Sequence, residues 1–327
     1  GFTGTTRQND LDVSFTISMQ PNVSDNSQAG DAKTPLFRQA FLTFGDKSWG
    51  TIKMGKDLGI FAGNAILNDM TLLGVGSNYA NSGQSTTLGG IGTGYIYPAW
   101  KGQITYTTPN MNGFQAKLGV TNPNQHPDSS VQSYRQERFG VEGQVEYAFT
   151  QGKVWASGAS YNVTTASGAA TAVMDYDATV LDIGASVNIG NANLVAYYYS
   201  GEGVGSTLMG GLDNAAGTAG LAGAASSGVD AVGNERDSDG GYIQATYVIP
   251  TGTKLGVAYG VSRLDLTNQE SQVANMLDEN NRWTVGAYHP LTKHLNLVAE
   301  YNDIESKSHS GLTNESSAVS LGAILFF

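Results

Sequence analysis

The feature that most constrains this chain is a two-residue alternation of apolar and polar side chains that recurs from one end to the other. Leu11, Val13, Phe15, Ile17 and Met19 interleave without error with Asp12, Ser14, Thr16, Ser18 and Gln20. Successive side chains of a strand point to opposite faces, so such a segment has one greasy face and one wet face. The pattern returns in Phe139, Val141, Val145, Tyr147 and Phe149 against Glu142, Gln144 and Glu146. It returns again in Leu181, Ile183, Ala185, Val187 and Ile189 against Asp182, Ser186 and Asn188. Further runs are Ile243 to Ile249, Leu255 to Val261, Leu297 to Tyr301, and Val319 to Phe327.

A single strand of this kind would suit a soluble sandwich as well as a membrane wall. The sequence has no run of about 18 apolar residues, which excludes a transmembrane helix. A mean hydropathy of −0.20 does not exclude a membrane barrel, in which every second residue is polar. The connections separate the two folds. Short polar turns (Gly45–Gly50, Pro109–Gly113, Thr150–Lys153, Asn191–Asn193, Pro250–Thr253 and Thr292–His294) carry the residues that tight hairpins need. They alternate along the chain with long polar or Gly/Ala-rich stretches. Short turns at one end and long loops at the other describe an outer-membrane barrel. Tyr and Trp near strand ends, such as Tyr106, Tyr147, Trp155, Tyr247 and Trp283, fit interfacial girdles.

The prediction is an all-β, transmembrane antiparallel β-barrel occupying residues 1–327 as one domain. About fifteen strands can be counted, against the even number expected of a bacterial barrel. Gly1 to Gly4 reads as the tail of a strand that turns through Thr5 to Asp10 into the Leu11 strand, so the first of 16 strands is expected upstream. Sixteen strands are wide enough for a water-filled channel. Composition narrows the function. The absence of Cys excludes a disulfide scaffold and thiol-ligated metal or cluster sites. With 28 Asp and Glu to 17 Lys and Arg, net −11, the chain lacks the basic excess that nucleic acid requires.

These residues resemble the Gram-negative general-diffusion porin family over nearly the whole chain. The run Arg38-Gln39-Ala40-Phe41-Leu42-Thr43-Phe44-Gly45-Asp46-Lys47-Ser48-Trp49-Gly50-Thr51-Ile52-Lys53-Met54-Gly55-Lys56 is similar to the family's strand, Gly-Asp turn and strand before its long inward loop. Gly102 to Phe114, with Tyr106, Pro109 and Gly113, is similar to a second family run, and Phe327 resembles the family's terminal aromatic. The resemblance implies a homotrimer whose third loop, here Asp57 to Trp100, folds into the lumen as a constriction. It carries acidic loop positions opposite basic wall positions onto Asp69 and onto Arg38, Lys56 and Lys101. Leu73 stands where a second loop acid is expected. Asp12, Lys53, Glu142, Glu146 and Asp182 are the expected lining of the wider pore. One acid fewer at the eyelet against acidic mouth loops predicts weak ion selectivity.

Other motifs carry less. Gly50 to Lys56 fits the start of a phosphate loop, but Asp57 follows where Ser or Thr would ligate magnesium. The Gly89–Gly94 cluster reads as part of the long loop. Glu235, Asp237 and Asp239 have the opening spacing of a calcium loop, but Thr246 occupies the closing acidic position, so no metal site is expected. His126, His289, His294 and His309 are scattered, with no metal-ligand spacing. Ser206 to Gly240 lacks the apolar mass for a core and is expected to be a long external loop. The expected function is passive diffusion of small hydrophilic solutes and ions across the outer membrane of a Gram-negative bacterium. No cofactor is expected, and the expected partners are lipid and lipopolysaccharide. The alternatives are a substrate-selective channel with a loop-formed binding site, and a barrel enzyme or adhesin.

Overall fold

The computed structural model describes residues 1–20, 36–75, 89–122, 133–135, 138–166, 174–207, 228–230, 233–270 and 276–326. His126 and most of the Ser206–Gly240 stretch lie outside these residues. The strands are β1 (Phe2–Gln8), β2 (Leu11–Gln20), β3 (Leu36–Asp46), β4 (Gly50–Leu58), β5 (Trp100–Thr107), β6 (Phe114–Thr121), β7 (Ser133–Arg135) and β8 (Gly140–Phe149). They continue as β9 (Gly152–Ala166), β10 (Met174–Ile189), β11 (Ala192–Glu202), β12 (Asp237–Val248), β13 (Lys254–Leu264), β14 (Leu277–Pro290), β15 (Leu295–Ser308) and β16 (Thr313–Leu325). All but β7 join one antiparallel meander in chain order, and β7 pairs with β9 to one side.

Each expected short turn is found between its two strands, and the structure adds another. Thr5 to Gln8 continue β1 rather than turning. The reversal is confined to Asn9 and Asp10, with φ of 49° and 63°, so that Gln8 pairs with Leu11. Two successive positive φ values match the twist of the flanking strands, and Asn and Asp tolerate them. The sorting of connections by length has an exception, because only four residues, 309–312, join β15 to β16 on the long-loop side. The fifteen path strands leave β1 and β16 pointing the same way, whereas an all-antiparallel ring has an even count.

The alternation sorts the faces as the pattern requires. On β10, Leu181 and Ile183 are 68% and 61% exposed, while Asp182 between them is 6% exposed. On β8, Val141, Val145 and Tyr147 are exposed, and Glu142 and Gln144 are buried. This inverts the arrangement of a protein folded in water, and it is stable where the outer solvent is hydrocarbon.

The connection from β4 to β5 begins with a helix that sequence patterning did not predict, α1 (Gly63–Asn68). It also shows that the sheet curls. Nine strand spacings separate β4 from β14, which in a flat sheet is about 43 Å. The chain from Leu58 to Asp69, with six residues helical, spans about 26 Å at most. Asp69 nonetheless lies 3.9 Å from Arg282 on β14. The sheet therefore wraps around this segment. Phe61, Ala65, Ile91, Tyr95 and Ile96 pack there against Trp155, Tyr161, Tyr197 and Tyr242 of the wall in one buried cluster.

Candidate functional site

Residues 59–75 and 89–99 cross the inside of the curled sheet without joining its ladders, so their buried backbone N–H groups need other acceptors. Wall side chains supply them. Glu142 on β8 accepts from the N–H of Ile60 and, at 3.0 Å, from that of Phe61. Asp182 on β10 accepts from Ala62 N–H at 3.2 Å, Gln244 on β12 from Met70 at 2.7 Å, and Glu300 on β15 from Val75 at 2.9 Å. Donors on the wall hold the segment's carbonyls in turn. Tyr242 donates to Ala65 O at 2.7 Å, and Arg282 donates to Gly89 O at 2.8 Å.

Asp69 ties the two halves of the segment together. One carboxylate oxygen accepts from the N–H and hydroxyl of Thr71, and the other accepts from Gly90 N–H at 2.6 Å and Tyr95 OH at 2.9 Å. Burial, and then the adjacent Asp69 charge, push the Tyr95 phenol well above its usual range, which keeps it a donor. Gly94 adopts φ of +140° where the chain passes Tyr242 and Gly241, a conformation that other residues rarely reach.

The residues expected at the eyelet are not gathered in one place. Asp69 faces Arg282, not Arg38, Lys56 or Lys101. Lys101 is 4% exposed and engaged elsewhere, 2.7 Å from Glu142 Oε1 and 2.9 Å from Tyr161 OH. Lys56 is paired with Ala40 and shares the parity of the exposed Met54, so it stands on the outer face, away from Lys53 and Asp57. Arg38 lies 6.0 Å from the Trp100 ring.

Among the expected lining residues, Glu142 and Asp182 are buried beneath residues 60–62. Asp12 pairs with Arg7 at 2.7 Å, Lys53 with Asp57 at 2.5 Å, and Glu146 with Lys153 at 3.2 Å. Gly50 to Lys56 is strand, which removes the phosphate-loop reading. Asp237 and Asp239 lie on β12, not in the external stretch, and Asp239 is 3.5 Å from Arg263. Among the described residues no three carboxylate or histidine side chains converge to hold a metal, Glu235 included.

Sequence reasoning missed Arg282, Glu300, Gln244 and Lys117. All four occupy the wet parity of their strands, as Lys117 does between Ala116 and Leu118, and parity alone could have flagged them.

The comparisons agree with this geometry. The profile of a family described as Gram-negative porin matches residues 1–309. The outer membrane channel DcaP of Acinetobacter baumannii is similar in structure, with TM-score 0.71, 14% identity, and coverage of 98% of this chain and 83% of that one. Salmonella typhi OmpF, solved with daunomycin, has TM-score 0.64 and 16% identity, covering 99% of this chain and 88% of that one. Vibrio cholerae OmpT in its trimer form has TM-score 0.57 and 15% identity, covering 98% and 86%. No curated protein matches the chain. With an apolar outer face, a polar inner face crossed by an anchored segment, and a family match over residues 1–309, the chain belongs to the Gram-negative porins, β-barrel channels of the outer membrane.

Proposed function

We propose that this porin passes small hydrophilic solutes and ions by passive diffusion, with residues 57–100 narrowing the lumen and no catalytic step. The observation that carries this reading is the fastening of that segment to β8, β10, β12, β14 and β15. Anchors on five wall strands hold a plug of fixed size and leave the remaining lumen to water. The buried cluster fills the β9–β12 side, and Arg38, Lys53 and Lys117 stand away from it on β3 to β6, where we read the path of the solute. The stretch 206–240 is read as an external loop up to the start of β12 at Asp237. The working form is read as a homotrimer in contact with lipid and lipopolysaccharide, a reading that the trimer form of OmpT supports.

Reconstitution into a planar bilayer tests the proposal. Stable stepwise openings in groups of three are expected, with permeation of neutral sugars falling with size. A protein that inserts but gives no openings would overturn it in favour of a barrel enzyme or adhesin.

A further inference from the structure

Beside the point where the inner segment leaves the wall, on its short-turn side, is a cavity of about 290 Å³. Lys53, Asp57 and Lys117 line it, together with Gln39, Thr107 and Gln144. Asp57 is fully engaged: one oxygen lies 2.5 Å from Lys53 Nζ and the other accepts from Gln39 Nε2 at 3.0 Å. The nearby carboxylate Glu146 is likewise taken, by Lys153 at 3.2 Å and by Asn64 Nδ2 at 2.8 Å. Lys117 is the third lysine of this group and has no carboxylate of its own. Among the described residues it makes no hydrogen bond or ion pair, although Glu146, Lys53, Lys153 and Asp57 all act on it electrostatically. The register sets it opposite Thr107 on β5 and Gln144 on β8, both polar and turned inward.

An ammonium half-sunk in a protein wall loses hydration that a counter-ion restores. Lysine recognises oxyanions as a point charge, and neighbouring amide and hydroxyl groups complete the donor set. We propose that this cavity is a subsite for small oxyanions in transit, solutes with a carboxylate or phosphate head, centred on Lys117 and assisted by Lys53, Thr107 and Gln144. The volume is at the small end of ligand pockets and admits a head group with its water, not a bulky body. The subsite rests on the channel reading and deepens it. An overall charge of −11 would favour cations at the mouth, whereas here the accessible wall is basic.

The test uses the full chain in planar bilayers, with citrate or pyrophosphate added to one side in KCl. If wild type gives no openings in KCl alone, the channel reading fails before any probe is added. If it opens, each oxyanion is expected to produce transient blocks that weaken at higher KCl, while sucrose produces none. Block by one probe alone identifies carboxylate or phosphate as the preferred head. Lys117→Gln is expected to weaken block about tenfold, the effect of one charge at contact distance in a wet pocket, and Lys117→Arg to retain most of it. Equal block by sucrose, no block by either oxyanion, or an unchanged blocking constant in Lys117→Gln would overturn the subsite. The sucrose comparison requires only wild-type protein, so it stands if a variant does not assemble.

Discussion

Glu142→Gln would test whether the inner segment is held by the wall or merely lies against it. Glu142 is 0% exposed, and its oxygens accept from Lys101 Nζ, Tyr161 OH and the N–H groups of Ile60 and Phe61. A glutamine offers one acceptor oxygen and one donor group in the same space. If the amide oxygen serves the backbone, its NH2 faces the Lys101 ammonium, which is left buried without a counter-charge at a cost of about 3–5 kcal/mol. If the oxygen serves Lys101, two backbone donors are stranded at about 1–3 kcal/mol each. Either arrangement raises the closed state by roughly 3 kcal/mol, a penalty that opening of residues 60–61 relieves by admitting water, and this corresponds to about a hundredfold faster amide exchange through local opening.

The assay is hydrogen exchange at Phe61 in reconstituted protein, paired with single-channel recording, where open-channel noise should rise while the ladder of the barrel keeps its protection. The double variant Glu142→Gln with Lys101→Met removes both charges and should recover much of the quiet trace, since the amide oxygen is then free to accept from Ile60 and Phe61 and no buried ammonium is left without a counter-charge. Exchange and noise within twofold of wild type in Glu142→Gln would refute the anchoring argument.

Three further outcomes are expected. A Cβ at Gly184 would sit 2.2 Å from Trp155 Cζ2, so Gly184→Ala should displace the indole, cost about 1–3 kcal/mol, and shift the Trp155 contribution to fluorescence. Leu181→Arg on the hydrocarbon-facing side should cost about 2–4 kcal/mol in a lipid refolding titration, and a change near zero would mean that β10 does not face lipid. Glu270 is held below its usual range chiefly by its hydrogen bond to Arg236, which sits at 2.9 Å and ties the residues before β12 to those after β13. Its folded value is depressed, so its contribution is complete above its free value of 4.5 and is lost as pH falls through the lower folded one. The protection factor at Val229, with intrinsic exchange at each pH divided out, should therefore fall on acidification in wild type, and Glu270→Gln should be poorly protected throughout.

The wall was legible in the sequence because its rule is local. Leu181, Asp182 and Ile183 declare their faces to anyone reading at period two, and turns such as Asn110 to Gly113 carry their own chemistry. The interior was much less legible, because its partners meet across the lumen. Lys101 finds Glu142, 41 positions away, and Arg282 finds Gly89, 193 positions away, so no window of sequence contains both members. Resemblance supplied Asp69 as an eyelet acid, but the structure turns its carboxylate inward on Thr71, Gly90 and Tyr95. Spacing alone does not say which way a loop carboxylate faces. The helix α1 escaped because six residues are too few for a 3.6-residue period to show.

The dispersion of the anchors also sets an order of events. Closing the contacts of Phe61, Met70 and Val75 encloses 81, 174 and 225 residues of chain, and the last requires β15 to be in place. Loop entropy must be met before such distant contacts reward it, so the segment can seat fully only after nearly every strand has paired. Its seating is in effect a completion signal for the barrel. An assembly intermediate arrested before β15 would have a wall but no finished constriction, and a leakier pore would be its mark.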